Sequence, residues 1–315
     1  MEPKEVKRRE FLIASALTGA AAMTLGSTAQ GAPAKGNMID KKALEDVAGT
    51  FADTSPKNRI SEKDAWDASY VGMRIFERPI LSIGSADDRW FERMKEKGVI
   101  GDHFYLPNDW LPGAKSVISV FSPFTERVRK SNTLSPNYPS REWLHGRIEG
   151  QHYIEGLNAQ IRDYIVINGA RALSPMLDTR FAFGPAEKDG DRPAIPAFNS
   201  NWSERHVAFI CGLGTFGRHT CLITKSGTAG RLCSIITDLP LPVDGKDYEG
   251  RFDYCIQCGT CQRRCPGQAI AETGKDIGKC AVQLASMMKY AAPRYGCGKC
   301  QTAVPCETKA PGRKA

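Results

Sequence analysis

The chain has 315 residues, a formal net charge of +8, a mean hydropathy of −0.36 and 11 cysteines. That length suits one large domain with a small appendage, or two domains. The mild basicity, with no Lys/Arg-rich run interleaved with aromatics, does not support nucleic-acid binding, and no apolar stretch reaches the roughly 20 residues needed for an integral membrane span.

Lys7, Arg8, Arg9, Glu10, Phe11 and Leu12 form a twin-arginine pattern, followed by an apolar stretch from Ile13 to Leu25 and by small residues at Ala29, Gly31, Ala32 and Ala34. We read residues 1–34 as an export signal, cleaved between Ala32 and Lys35, that sends the mature chain to the periplasm. An uncleaved N-terminal anchor is the alternative, because the cleavage site is not a clean A-x-A. Twin-arginine signals resemble those of the pathway that carries already folded proteins, which suits a cofactor built before export.

Residues 35–84 read as a loosely packed lead-in, polar and mixed over 40–72, with Ser61 placed to cap a short helix beginning at Glu62. An α/β body is expected over 85–245. Trp90, Phe91 and Met94 suggest an amphipathic helix within 87–98. After Leu111-Pro112-Gly113, residues 116–121 form a buried strand by their β-branched content. Ile154, Leu157, Ile161, Tyr164 and Ile165 recur at helical spacing, and Asn168-Gly169 supplies a stop. Further strands are expected at 207–211, 220–224 and 232–237. A boundary rich in Pro, Gly and Asp over 240–250 then introduces the cysteine-rich end, 246–315.

Within the body, Gly212-Leu213-Gly214-Thr215-Phe216-Gly217 spells G-x-G-x-x-G, and Asp238 follows about 20 residues later. A dinucleotide site requires this motif to open a helix whose N-terminus receives the pyrophosphate. The residues that follow, His219 to Thr224, read instead as a strand and turn, which argues against nicotinamide binding.

The cysteine-rich end carries the strongest signal. Cys255, Cys258, Cys261 and Cys265 follow the C-x2-C-x2-C-x3-C-P spacing of bacterial iron–sulfur ligation, in which the fourth cysteine turns away to a second cluster. Zinc knuckles pair two C-x2-4-C halves, and a disulfide framework would not explain three chained cysteines followed by Cys-Pro. Cys280, Cys297, Cys300 and Cys306 complete two sets of four. With crossed ligation, Cys255, Cys258, Cys261 and Cys306 hold one [4Fe–4S] cluster, and Cys265, Cys280, Cys297 and Cys300 hold the other; the uncrossed scheme assigns the first four to one cube. Cys211, Cys221 and Cys233 remain and read as buried small hydrophobes.

Leu111-Pro112-Gly113-Ala114-Lys115-Ser116-Val117-Ile118, Glu204-Arg205, Cys211-Gly212-Leu213-Gly214, Gly217-Arg218-His219 and the eight cysteines together resemble the superfamily of reductive dehalogenases and epoxyqueuosine reductases, over roughly residues 85 to 310. The resemblance implies an α+β architecture: a nitroreductase-like α/β body followed by a small two-cluster domain like a bacterial ferredoxin. It also implies a corrinoid held in the body and fed single electrons by the two clusters, with Gly212, Gly214 and Gly217 admitting a large flat cofactor and Trp202 stacking on it. Phe198 stands where epoxyqueuosine reductases carry an acidic proton donor, and the chain is shorter than typical dehalogenases; it looks like a short, exported branch. His206, Arg218 and His219 are the candidates for supporting protonation, each with a purely structural alternative. Glu204 and Arg205 read as an ion pair if they have no other role. Two functions remain in view: an exported reductase delivering electrons to a corrinoid or a small-molecule substrate, supplied by a redox partner protein or a quinol-linked donor, or a non-catalytic electron carrier whose body is a docking platform.

Overall fold

The computed structural model describes residues 39–313. The twin-arginine pattern and the apolar stretch after it lie outside the described residues. Four strands pair antiparallel in the order β1 (Ile80–Ser85), β2 (Ser116–Pro123), β6 (Gly230–Thr237) and β3 (Ala172–Leu173). β2 is buried from Ser116 to Ser122, so both of its faces are covered. Because side chains alternate along a strand, Val117 and Phe121 enter one core while Ile118 and Val120 enter the other.

The second of these cores is roofed by helices α1 (Lys41–Thr54) and α5 (Arg141–Ile167). Ser140 caps α5 by accepting from the Trp143 amide, and Tyr153, Ile154, Leu157, Ile161 and Ile165 form its buried stripe. The lead-in is packed rather than loose. Asp40 caps α1 by accepting from the Ala43 amide at 2.8 Å, and Leu44, Ala48 and Ala52, four residues apart, are buried along one face. No helix begins at Glu62; the Ser61 hydroxyl donates to Asp64 within a turn instead. No helix of the described residues is long and apolar enough to cross a membrane.

The first core lies under α6 (Glu204–Ile210) and the short α2 (Arg89–Arg93). Residues 207–211, expected as a strand, are helical up to Ile210. Their unbroken apolar run carries no period that separates a buried strand from a buried helix. Trp202 precedes α6 and lies nearly parallel to Phe104 and Phe91, with ring centroids 5.5 and 6.0 Å away. Its Nε1 donates to the Ser234 hydroxyl of β6 at 2.9 Å.

Glu204 sits beside this pair at the start of α6. Neither carboxyl oxygen finds a hydrogen-bond partner among the described residues, and Arg205 is exposed, so the expected ion pair does not form. Burial pushes the Glu204 carboxyl up to about 7.

The described residues belong to one compact unit, and the cysteine-rich end is fastened to the body. The Thr228 amide donates to the Cys306 carbonyl at 2.9 Å, Asn132 Nδ2 donates to the Cys297 carbonyl at 3.1 Å, and Arg129 pairs with Glu307 at 2.8 Å. Gly298 makes the closest junction. Its φ is +69°, and a Cβ there would stand 2.1 Å from the Trp143 ring.

Two outcomes follow from this packing. Gly298→Ala should lower stability by about 2 kcal/mol, combining overpacking with an unfavourable φ, and Trp143→Leu in the same chain should recover part of that loss in denaturant unfolding. Glu204 ionises near 4.5 when free and near 7 when folded, so between those pH values the folded chain holds a proton that the unfolded chain lacks, and stability falls as pH rises through that window. Glu204→Gln should flatten this decline and exceed the parent at pH 8 by on the order of 2 kcal/mol; a variant with an unchanged pH slope counts against the buried carboxyl.

Candidate metal centres

Cys255, Cys258 and Cys261 lie on a segment that runs into the short helix α7 (Thr260–Arg263). They line one cavity with Cys306, which comes from far along the chain, and with Arg218 and His219 from the body. Burial pushes the Cys261 thiol up to about 11 and the Cys306 thiol up to about 12; in each case the other thiols of the group add to the shift. Cys258 is held below its ordinary value against its partial burial, because the Thr260 hydroxyl and backbone favour the thiolate. Such an electropositive, hydrogen-bonded surrounding is what a thiolate ligand requires.

Cys265 belongs to a different neighbourhood. Burial raises Cys297, with Cys265 and Cys280 as its charged neighbours, and Cys280 stands on α8 (Ile277–Ala291). Lys275 is held above its ordinary value although burial opposes this, because Cys221, Cys300 and Cys280 face it. The Ala269 amide donates to Cys265 Sγ at 3.2 Å. Lys299 is fully buried between Cys297 and Cys300 in sequence; its Nζ donates to the Asn132 carbonyl at 2.6 Å, while burial pushes it down to about 8. The cysteines therefore form two spatial groups, with Cys306 joining the first three and Cys265 leaving them.

The body residues singled out from the sequence separate. Arg218 and His219 are at the first cysteine group: Arg218 donates to Gln257 at 3.1 Å and to Gln262 at 3.3 Å, which fixes it to the cysteine-bearing loop. His206 is elsewhere, sharing a 2.7 Å hydrogen bond with Ser203. Burial, with the Arg205 and Arg251 charges behind it, pushes His206 down to about 4. It is neutral near pH 7 and unsuited to delivering a proton. Trp202 offers no stacking surface, since Phe91 and Phe104 cover it.

The three glycines also meet protein rather than open space. A Cβ on Gly214 would stand 2.1 Å from the Ile223 carbonyl, because β4 (Gly214–Phe216) pairs with β5 (Leu222–Thr224). A Cβ on Gly217 would stand 2.6 Å from the His219 ring, and one on Gly212 would meet the Gly245 carbonyl at 3.4 Å. The motif turns into a hairpin, so no helix N-terminus faces a pyrophosphate there. A corrinoid does not fit at these glycines, because each one faces the chain's own backbone or side chains.

Two features had no clear signal in the sequence. Cys221 is more than a buried hydrophobe, since its thiol neighbours that of Cys300 closely enough for each to shift the other, Cys221 down and Cys300 up. A separate cavity of about 160 Å³ is lined by His103, Tyr105, Arg180, Glu187, Arg192 and Asn201; these polar residues are scattered between positions 103 and 201, with no motif to join them.

No protein-family model matches the chain. Epoxyqueuosine reductase of Xanthomonas campestris pv. campestris is 35% identical over 223 residues, covering 65% of this chain and 56% of that protein. Tetrachloroethene reductive dehalogenase of Sulfurospirillum multivorans is 34% identical over 80 residues, covering 25% and 16%. The chain thus spans about half the length, or less, of these curated relatives. Solved structures of related shape include an epoxyqueuosine reductase with a modified tRNA-Tyr stem loop, at TM-score 0.45 and 18% identity, covering 72% of this chain and 61% of that one. A catabolic reductive dehalogenase in complex with 3-bromo-4-hydroxybenzoic acid gives TM-score 0.46 at 16% identity, covering 85% and 36%. Sequence likeness to both kinds of enzyme supports a place for the chain in a reductive dehalogenase/epoxyqueuosine reductase-like superfamily.

Proposed function

We propose that this chain is an iron–sulfur oxidoreductase, of the reductase type its relatives are named for, that passes single electrons through two [4Fe–4S] clusters toward a small-molecule substrate. The observation that carries this reading is the segregation of eight cysteines into two groups in which Cys306 and Cys265 change places relative to sequence order. Crossed ligation in a two-cluster protein would produce that exchange.

Cys255, Cys258, Cys261 and Cys306 would hold one cluster, and Cys265, Cys280, Cys297 and Cys300 the other. When bound, the clusters supply one-electron transfer. The chain's own part is electrostatic. Arg218 and Arg263 stand near the first group, and Lys275 and Lys299 near the second, where their charges offset the thiolates and favour a more negative state. The reading includes a nitroreductase-like body over 85–245, a ferredoxin-like end over 246–315, and export by the twin-arginine segment to the periplasm, where a redox partner or quinol-linked donor supplies electrons. No step passes through a corrinoid. The cavity beside His103 and Arg192 is of a size for a small substrate.

The second reading, an electron carrier whose body serves as a docking platform, is favoured by the closed glycine motif, where Gly212, Gly214 and Gly217 meet the chain's own atoms.

Anaerobically reconstituted protein, made with cobalamin supplied, should contain about eight irons per chain and no stoichiometric cobalt. Fewer than about six irons undoes the two-cluster reading, and one cobalt per chain overturns the view of the glycine motif. Cys265→Ala and Cys280→Ala should each remove the same EPR-active centre, and Cys306→Ala should remove the other. If Cys265→Ala and Cys261→Ala instead abolish one shared centre, ligation is uncrossed.

A further inference from the structure

His219 was a candidate for protonating a substrate, yet it is only 1% exposed and faces the first cysteine group. Its Nδ1 accepts a hydrogen bond from the Cys221 amide at 3.0 Å. A backbone N–H can only donate, so Nδ1 carries no proton and the neutral ring holds its proton on Nε2. Nε2 lies 3.6 Å from Cys306 Sγ, within reach of a hydrogen bond to sulfur. The tautomer is therefore fixed by the main chain, and the donor it leaves is aimed at a thiol of the cavity.

The surrounding turn is built to hold the ring there. The Gly217 amide donates to the Cys221 carbonyl at 2.9 Å and the Thr220 amide to the Gly217 carbonyl at 2.8 Å, closing residues 217–221 between β4 and β5. Thr220 takes φ +60° to complete the turn. A Cβ on Gly217 would lie 2.8 Å from Nε2 itself, so glycine is required for the ring to lie flat against the backbone. The acceptor is held as well, since the Cys306 carbonyl receives the Thr228 amide. The same turn reaches the other group through Cys221 and Cys300.

We propose that His219 is a positioning residue for electron transfer: its Nε2–H donates to the Cys306 sulfur and raises the potential of the cluster held by Cys255, Cys258, Cys261 and Cys306 relative to the other. A hydrogen bond to a ligand sulfur draws electron density from the centre and favours its reduced, more negative form. This rests on the two-cluster reading above, and it assigns the third glycine of the motif to placing an imidazole.

The test is an EPR-monitored redox titration of the fully loaded protein. His219→Leu should lower the midpoint of one centre and leave the other in place at unchanged iron content; His219→Gln, which keeps a donor, should recover part of the shift. Gly217→Ala, which retains the imidazole but displaces it, should shift the same centre in the same direction. In parent protein labelled with ¹⁵N-histidine, pulsed EPR of the reduced centre should show a weak nitrogen coupling, a readout that does not depend on any variant folding. Unchanged midpoints in His219→Leu, equal shifts of both centres, or no histidine coupling in the parent each overturn the proposal. A parent that binds no iron defeats the two-cluster reading itself, before any variant is compared.

Discussion

The antiparallel pairing of β2 with β6 determines where the rest of the molecule can go. β2 is buried from Ser116 to Ser122 and β6 from Cys233 to Thr237, so helices lie on either side of the sheet. Pro123 of β2 is opposite Gly230 of β6, and the chain around that shared end supplies the anchors of the cysteine-rich segment. Thr228, just before β6, takes the Cys306 carbonyl; beyond β2, Arg129 meets Glu307 and Asn132 meets Cys297 and Lys299. One end of one strand pair therefore fixes members of both cysteine groups. A buried ammonium is tolerable there because Asn132 accepts from Lys299 through its carbonyl, which satisfies a charge that burial would otherwise disfavour.

Sequence reasoning reached furthest where one interaction dominates. The β-branched run in β2, the apolar stripe of α5 with its Asn168-Gly169 stop, and the strand–turn character after Gly217 are local signals, and the structure has them. It failed where local signals were equivocal or faint. Val207 to Cys211 is apolar throughout and gives no period, so tertiary packing makes the choice. The spacing of Leu44, Ala48 and Ala52 behind Asp40 was a helix signal outweighed by the polar residues around it. In the candidate site, the spacing of the cysteines suggested two groups, but the contact of His219 with Cys306 joins residues 87 positions apart and depends on a hairpin that no motif announces. The roles suggested for Trp202 and the glycines came from resemblance alone, and local packing gives these residues other work.

The glycine motif illustrates how one signature serves different physics. Around a dinucleotide, such glycines admit a ligand's phosphates to the backbone. In this chain the same spacing admits a strand partner at Gly214 and an imidazole at Gly217. What is retained is the need for a surface without a side chain; the object that occupies it has become part of the protein.

Cys306 is the last cysteine of the sequence, and the group it completes opens with Cys255. Under the proposed ligation the set would be closed by its most distant member, and the entropy cost of the long loop between them would be offset only once the body that holds Cys306 in place exists. Under that ligation, a chain interrupted before Cys306, or one whose β5–β6 turn has not formed, would present three thiols and an open fourth position. Completion of the site reports that both the sheet and the C-terminal segment have been made.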